Sequence, residues 1–418
     1  MRSIRWTASA VLLLTTFSLA QTADPSDKET IRLLVQQVKE LQTKVQALES
    51  KVSANGEQAS APAPTGDNEA VATPTLTLLQ EMHDTRGIQW RGFGEVNYKV
   101  LDQRVPELGT FGFVPGSAGN FYTGDFDLLL TSRMSDKAST LAEVVIGEGD
   151  AQSFDVDLER VLFKYDYNDH LKFSAGRYHT GVGYYNTAFH SGKWLQTTAD
   201  RPLVMEFAND GGLLPTQAVG VSFTGLIPSR SLGLNYIFEY GSSDTIRPTL
   251  DGLSVTDENN GNHVNVGVFA RPDSVPGLQA GASFYHDKIS DLAKGPSVRL
   301  GQTILNAHVV YTAHHIEFLN EGFLIRHAYE NSPVVFNMPA FYTQFSRRFR
   351  NWRPFVRYQY AHMNPNSIFP DVGLRHGPSF GTRYDFNESV AFKLQLDHTL
   401  RQNQPDLNGL QTQLAFTF

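Results

Sequence analysis

Leu410-Gln411-Thr412-Gln413-Leu414-Ala415-Phe416-Thr417-Phe418 alternates between two faces up to its last residue. Leu410, Leu414, Phe416 and Phe418 share one face with Thr412, while Gln411, Gln413, Ala415 and Thr417 share the other. A period of two marks a strand with one apolar and one polar side. The segment before it repeats the pattern: Val390, Phe392, Leu394 and Leu396 oppose Ala391, Lys393, Gln395 and Asp397. Asn387-Glu388 supplies a tight polar turn ahead of that strand. A soluble protein rarely finishes on an aromatic that its last strand has to bury. A closed barrel in a bilayer does so naturally, because its outer face is the apolar one. The two segments therefore read as a hairpin with an apolar outside and a wet inside.

Working upstream, the same alternation predicts sixteen strands, the first near 88–102 and the last near 408–418. The fold class that follows is all-β: a sixteen-stranded antiparallel transmembrane β-barrel, with an N-terminal coiled-coil helix. The connections carry as much information as the strands. Long gaps near 103–120, 180–215, 244–260, 289–300 and 364–375, with intermediate ones between 149 and 154, 331 and 337, and 402 and 407, alternate with short polar turns. Among those turns are Ser135-Asp136-Lys137, Asn168-Asp169, His314-His315 and Arg350-Asn351. All the short turns then fall at one end of the barrel, as periplasmic turns do. An even strand count leaves both termini of the barrel at that end.

Cost assigns the faces. In the first strand Arg91, Glu95, Asn97 and Lys99 share a side, opposite Trp90, Val96, Tyr98 and Val100. Arg or Lys at the bilayer midplane costs roughly 2–4 kcal/mol, so the charged side should line the lumen. The same reasoning makes Arg133, Arg160, Lys164, Arg357, Arg383 and Lys393 lumen candidates beside Arg91. Glu95, Asp125, Asp127, Glu143, Glu239, Asp385 and Asp397 offset them. Sixteen strands enclose an aqueous channel, not a filled core.

The N-terminal fifth reads differently. Residues 1–20 have the form of a secretory signal, with Arg2 and Arg5 ahead of an apolar run and Ser18-Leu19-Ala20 as a cleavage site. The run is too short for a spanning helix. Ile31, Leu34, Val38, Leu41, Val45, Leu48 and Val52 are spaced as a heptad, and Ser26-Asp27-Lys28-Glu29 offers a capping box. Residues 26–52 are thus expected to form a periplasmic coiled coil; an amphipathic helix lying on the barrel is the competing reading. β-branched residues at one seam position with Leu at the other lean towards two strands. Residues 53–87, poor in periodicity and rich in Ala, Pro, Ser and Gly at their start, read as a flexible linker. The barrel is expected over 88–418.

Composition narrows the class. A formal net charge of -8 argues against a nucleic-acid partner. Cysteine is absent, which excludes disulfides and thiolate metal sites. Mean hydropathy of -0.28 is unlike a helical membrane protein and compatible with a barrel whose strands are half wet.

One stretch carries a family resemblance. Asp157-Leu158-Glu159-Arg160, Leu171-Lys172-Phe173-Ser174-Ala175-Gly176-Arg177-Tyr178, Gly183-Tyr184-Tyr185-Asn186 and Ser191-Gly192-Lys193-Trp194 resemble the phosphate-selective porins O and P. The final Phe418 likewise resembles the ending of bacterial outer-membrane proteins. The resemblance implies a homotrimer in outer-membrane lipid, a third loop folded into the pore, and basic side chains at that constriction. It also implies passive diffusion of small hydrophilic solutes, with anions such as phosphate as the favoured class. Loop 180–215 is the third long-side connection, and a loop of that length without structure is improbable unless functional. It carries Lys193 and Arg201, the expected constriction cations, alongside Asp200, Glu206 and Asp210. Ordinary solvation at the mouth is the competing reading for Lys193.

Two rival functions have their own signatures. A barrel enzyme needs a positioned nucleophile, base and orienter. Gly377-Pro378-Ser379-Phe380-Gly381 matches the nucleophile-elbow pattern, but it falls inside an expected strand where a strand-to-helix turn is required. His314-His315 reads as a turn, since adjacent strand residues face opposite ways. No enzyme activity, cofactor or metal is expected. In the other rival, the coiled coil does the work and the barrel only anchors it.

Overall fold

Strand pairing in the computed structural model follows chain order around a full circle. The structure describes residues 87–102, 107–109, 112–114, 119–148, 154–206, 212–242, 261–291, 294–295, 298–369 and 372–418. The signal segment, the coiled coil and all of the linker except residue 87 lie outside the described residues. We number the barrel strands β1 (Gly87–Leu101), β2 (Asn120–Arg133), β3 (Ala138–Glu148), β4 (Phe154–Asn168), β5 (Leu171–His179), β6 (Gln217–Leu226), β7 (Leu234–Ser242) and β8 (Asn262–Ala270). The circle continues through β9 (Leu278–Ser290), β10 (Arg299–Ala313), β11 (Ile316–Tyr329), β12 (Val335–Arg347), β13 (Trp352–His362), β14 (Leu374–Asp385), β15 (Val390–Arg401) and β16 (Leu407–Thr417). Each pairs antiparallel with its neighbours, and β16 closes on β1 with Phe93 opposite Thr417 and Val100 opposite Leu410. The sixteen strands match the sequence expectation to within a few residues. A short antiparallel pair, Glu107–Gly109 with Gly112–Val114, stands in the first long connection.

The alternation sorts side chains as the transfer cost demands. Along β15, Ala391, Lys393 and Gln395 are buried inward, while Phe392 is exposed outward. At the short-turn end the outward surface carries exposed Trp90, Tyr167, Phe349, Trp352, Phe386 and Phe418. Such an aromatic girdle fits a lipid–water interface. The closing seam sits under part of it. Gly92 and Gly94 face outward on β1, and a Cβ there would fall 2.3 Å from the Phe418 ring and 2.8 Å from the Phe416 ring. Glycine leaves room for both rings against the first strand, with Trp90 and Phe126 ring centroids 5.9 and 5.7 Å from that of Phe418.

One sector departs from the expected wet interior. Ile304 and Val310 on β10, Leu319 and Phe323 on β11, and Met338 on β12 point inward and are buried. They form one apolar cluster with Val182, Tyr184, Tyr185, Phe189, Val204 and Met205 of the loop between β5 and β6. The wall is apolar there because the loop covers it.

Candidate functional site

Residues 180–206 and 212–216, the described parts of the connection between β5 and β6, turn into the lumen, where inward-facing side chains from most of the circumference hold them. Its root is closed by the Thr180 amide donating to the Thr216 carbonyl at 3.0 Å, and by Asn186 Nδ2 donating to the carbonyls of Thr180 and Thr216. A short helix, Tyr184–Phe189, follows. A six-residue helix has few hydrogen bonds of its own and gains most of its stability from packing. Glu321, reaching across from β11, accepts from the Tyr184 and Tyr185 amides at 2.6 and 2.8 Å and from the Tyr342 hydroxyl at 2.6 Å. That carboxylate satisfies the amides that the start of the helix leaves without partners.

The next stretch crosses to the opposite wall. His190 meets Glu159 of β4, and Arg160 donates to the Ser191 hydroxyl at 2.9 Å. The Gly192 amide donates to Asp127 of β2 at 3.0 Å. Gly192 has φ of +47°, and a Cβ there would meet the Phe93 ring at 2.4 Å, so no other residue fits this close approach. Trp194 then stacks on Phe93 with centroids 6.4 Å apart. Lys393 donates to the carbonyls of Lys193 and Thr198, and Arg383 to those of Trp194 and Gln196. Arg357 donates to the Asp200 carbonyl at 2.9 Å, and Gln395 accepts from the Ala199 amide at 2.9 Å. Fixing each residue costs roughly 1–2 kcal/mol of backbone entropy. Hydrogen bonds to charged groups return about 1.5–3 kcal/mol apiece, and the apolar cluster adds to them.

All seven expected lining residues occupy inward positions, but their surroundings differ. Arg160, Arg357, Arg383 and Lys393 are buried and bound to the loop or to Glu143 and Asp385. Arg91 donates to the Thr417 hydroxyl at 3.2 Å. Arg133 pairs with Asp136 at the short-turn end. Lys164 is half-buried.

The two constriction candidates separate sharply. The Lys193 ammonium retains 23% side-chain exposure and lies 3.9 Å from Glu95. Burial works against its charge, but the Glu95 and Asp125 carboxylates outweigh this and hold it above the ordinary lysine range. Arg201 is buried, and its guanidinium donates to the carbonyls of Phe189, His190 and Met205, so it holds loop backbone together. Asp200, 24% exposed, pairs with Lys99 at 3.2 Å. Burial raises its pKa, yet Lys99, Lys193 and Arg357 together hold it below the ordinary carboxylate range. Among the described residues, the charges left partly open to the lumen beside the loop include Lys99, Lys193, Asp200 and Arg353, with half-buried Asp125, Asp397 and Glu206 near them. Sequence reasoning placed Lys99 on the charged face of β1 without assigning it to the constriction. Arg353 and Glu321 were missed: Arg353 alternates in phase with Arg357 on β13, whereas no residue of β11 had been assigned.

Ser379 lies buried within β14 with strand on both sides, so no nucleophile elbow forms there. His314 and His315 form a turn, both with positive φ.

No protein-family model matches the chain, and no curated protein matches it. Solved structures do. An anion-selective porin from Comamonas acidovorans aligns with TM-score 0.54 and 12% identity, over 79% of this chain and 99% of that one. OmpF of Salmonella typhi, in complex with daunomycin, aligns with TM-score 0.54 and 13% identity, over 79% and 97%. A trimer form of OmpT, an outer-membrane protein of Vibrio cholerae, gives 0.53 and 11%, over 80% and 100%. At these identities the likeness is one of fold: this chain shares a closed antiparallel β-barrel with those structures.

Proposed function

We propose that the protein is a passive channel of an outer membrane, and not an enzyme, admitting small hydrophilic solutes past loop 180–216. The carrying observation is the loop itself, folded into the lumen and tied to charged inner walls, with Lys193 and Lys99 left partly open to water. In a narrow, partly desolvated passage a charge acts at a lower effective dielectric than in bulk water. Two cations there favour negatively charged solutes, phosphate among them, in keeping with the family resemblance. Glu95, Asp125, Asp200 and Asp397 beside them keep that preference modest. An even strand count with the short turns at one end supports a periplasmic N-terminal segment, and the assembly we propose is a homotrimer.

The test is electrical. Purified protein in planar bilayers should give steady conductance steps. Lys193→Glu should move the reversal potential in a salt gradient towards cation preference, and removing residues 184–205 should raise conductance. A bilayer that stays closed at every protein concentration would overturn the channel reading. Unchanged reversal potential would remove Lys193 from the constriction.

A further inference from the structure

We propose that Glu159, His179 and His190 form a binding site for a transition-metal ion of the zinc type, which locks the root of the lumen loop to the barrel wall. The three residues come from β4, from the end of β5 and from the loop just past its helix, and their ligand atoms lie within 4.8 Å of one another. All three side chains are nearly closed to solvent, with exposures of 9%, 5% and 1%.

The hydrogen bonds at this cluster leave electron pairs facing each other. His190 Nδ1 lies 2.7 Å from Asn186 Oδ1, and an amide oxygen there can only accept, so Nδ1 carries a proton. In the neutral ring, Nε2 then holds the lone pair and sits 2.5 Å from Glu159 Oε1, itself an acceptor when ionised. The two share a site that only a proton or a cation can bridge. His179 Nε2, 3.6 Å from the same oxygen, has no hydrogen-bond partner among the described residues. Glu143 Oε2 lies 3.6 Å from His179 Nε2, and Glu143 Oε1 is also buried without a partner.

Two imidazoles with one or two carboxylates suit zinc and its neighbours; magnesium and calcium take oxygen ligands. Zinc bonds of about 2.0–2.2 Å put tetrahedral donors roughly 3.3–3.5 Å apart, close to the 3.6 Å separations here. The His190–Glu159 contact must open by about 1 Å to reach that spacing. The imidazole rings, stacked at 3.5 Å and 20°, must tilt so that both lone pairs meet the ion. On binding, the bridging proton leaves to water and zinc–nitrogen and zinc–oxygen bonds replace it. Asn186 acts as the outer partner that orients a metal-bound histidine. Arg160, paired with Glu143, and Arg201, which donates to the His190 carbonyl, are the opposing charges nearby and set a limit on affinity. The site departs from the expectation of a metal-free chain. It closes the loop at a point where His190 follows directly on the helix, so occupancy should stiffen the constriction.

Untagged, chelator-treated protein in detergent, titrated with Zn²⁺ by calorimetry, should bind one ion per chain. His179→Ala and Glu159→Gln should each weaken binding on the order of 100-fold or more. Cobalt(II) in place of zinc should give the visible absorption of a four-coordinate ion, lost in His179→Ala. Zinc should slow hydrogen exchange at the amides of Tyr184–Phe189 in the wild type and not in His179→Gln. Heat-modifiable electrophoresis identifies folded barrels, and His179→Gln substitutes for any variant that fails to fold. No saturable binding by the wild type, or equal binding by folded wild type and His179→Ala, overturns the site.

Discussion

Arg201 and Lys193 show how one loop divides two like charges between two tasks. Arg201 donates to three carbonyls of the loop's own backbone in a buried setting. Arg201→Ala should lower barrel stability by about 2–3 kcal/mol, since hydrogen bonds to charged groups are worth roughly 1.5–3 kcal/mol each and burial leaves the carbonyls unsatisfied. Denaturant titration in detergent checks it, and a loss under half a kcal/mol would mean the carbonyls find other partners. The loop's ion pairs also set a pH window. Lys193 is raised, so its contribution is full below the unfolded value of about 10.4 and fades as pH rises through the folded one. Asp200 is lowered, so its contribution is full above about 3.9 and fades as pH falls through the folded value. The gap in melting temperature between the wild type and Asp200→Asn should therefore stay level from about pH 5 to pH 9 and narrow below about pH 4. A gap that closes near neutrality would show that Asp200 is not held ionised by Lys99 and Lys193.

The lumen loop, as an element, depends on partners that lie far along the chain. Glu321 is 137 residues from the Tyr184 amide that it accepts from. Glu321→Ala removes the acceptor of two amides and one hydroxyl at once. It should speed amide exchange in Tyr184–Phe189 at least tenfold, and single-channel records should show added flicker. Exchange rates equal to the wild type would show that the apolar cluster alone holds the helix. This dependence explains what the sequence could and could not disclose. Strands were legible because period-two alternation is local, and Val390 to Asp397 carries it in eight residues. The length of 180–215 announced a structured loop. The partners of that loop were not legible, because nothing in the sequence pairs Glu321 with Tyr184 or Arg357 with Asp200. Lys193 and Arg201 read alike as loop cations for the same reason. His179 and His190 stand eleven positions apart, one on a strand and one on a loop, a spacing that no local metal motif uses.

At the scale of the whole molecule, the barrel's outer wall presents apolar side chains. Exposed Val266, Phe284, Leu305 and Leu324 along β8–β11 suit lipid or another barrel. Light scattering with detergent correction should report three chains per particle for the intact protein. A monomer with the N-terminal segment intact would contradict the trimer, and a dimer would favour the two-stranded heptad reading over the resemblance. The closing seam bears on how such an object comes into being. Arg91 meets Thr417 across 326 positions of chain, and joining ends so distant costs about 5 kcal/mol of closure entropy. Until that joining, the growing sheet has two raw edges, each a row of amides and carbonyls able to recruit any passing strand. Distant pairings also form slowly, which lengthens the exposure. The glycine floor beneath Phe416 and Phe418 gives the last segment a landing place on the first, where edge-on and tilted ring contacts offset part of the closure cost. A chain halted before Leu407 would carry both raw edges indefinitely, and its expected fate is aggregation.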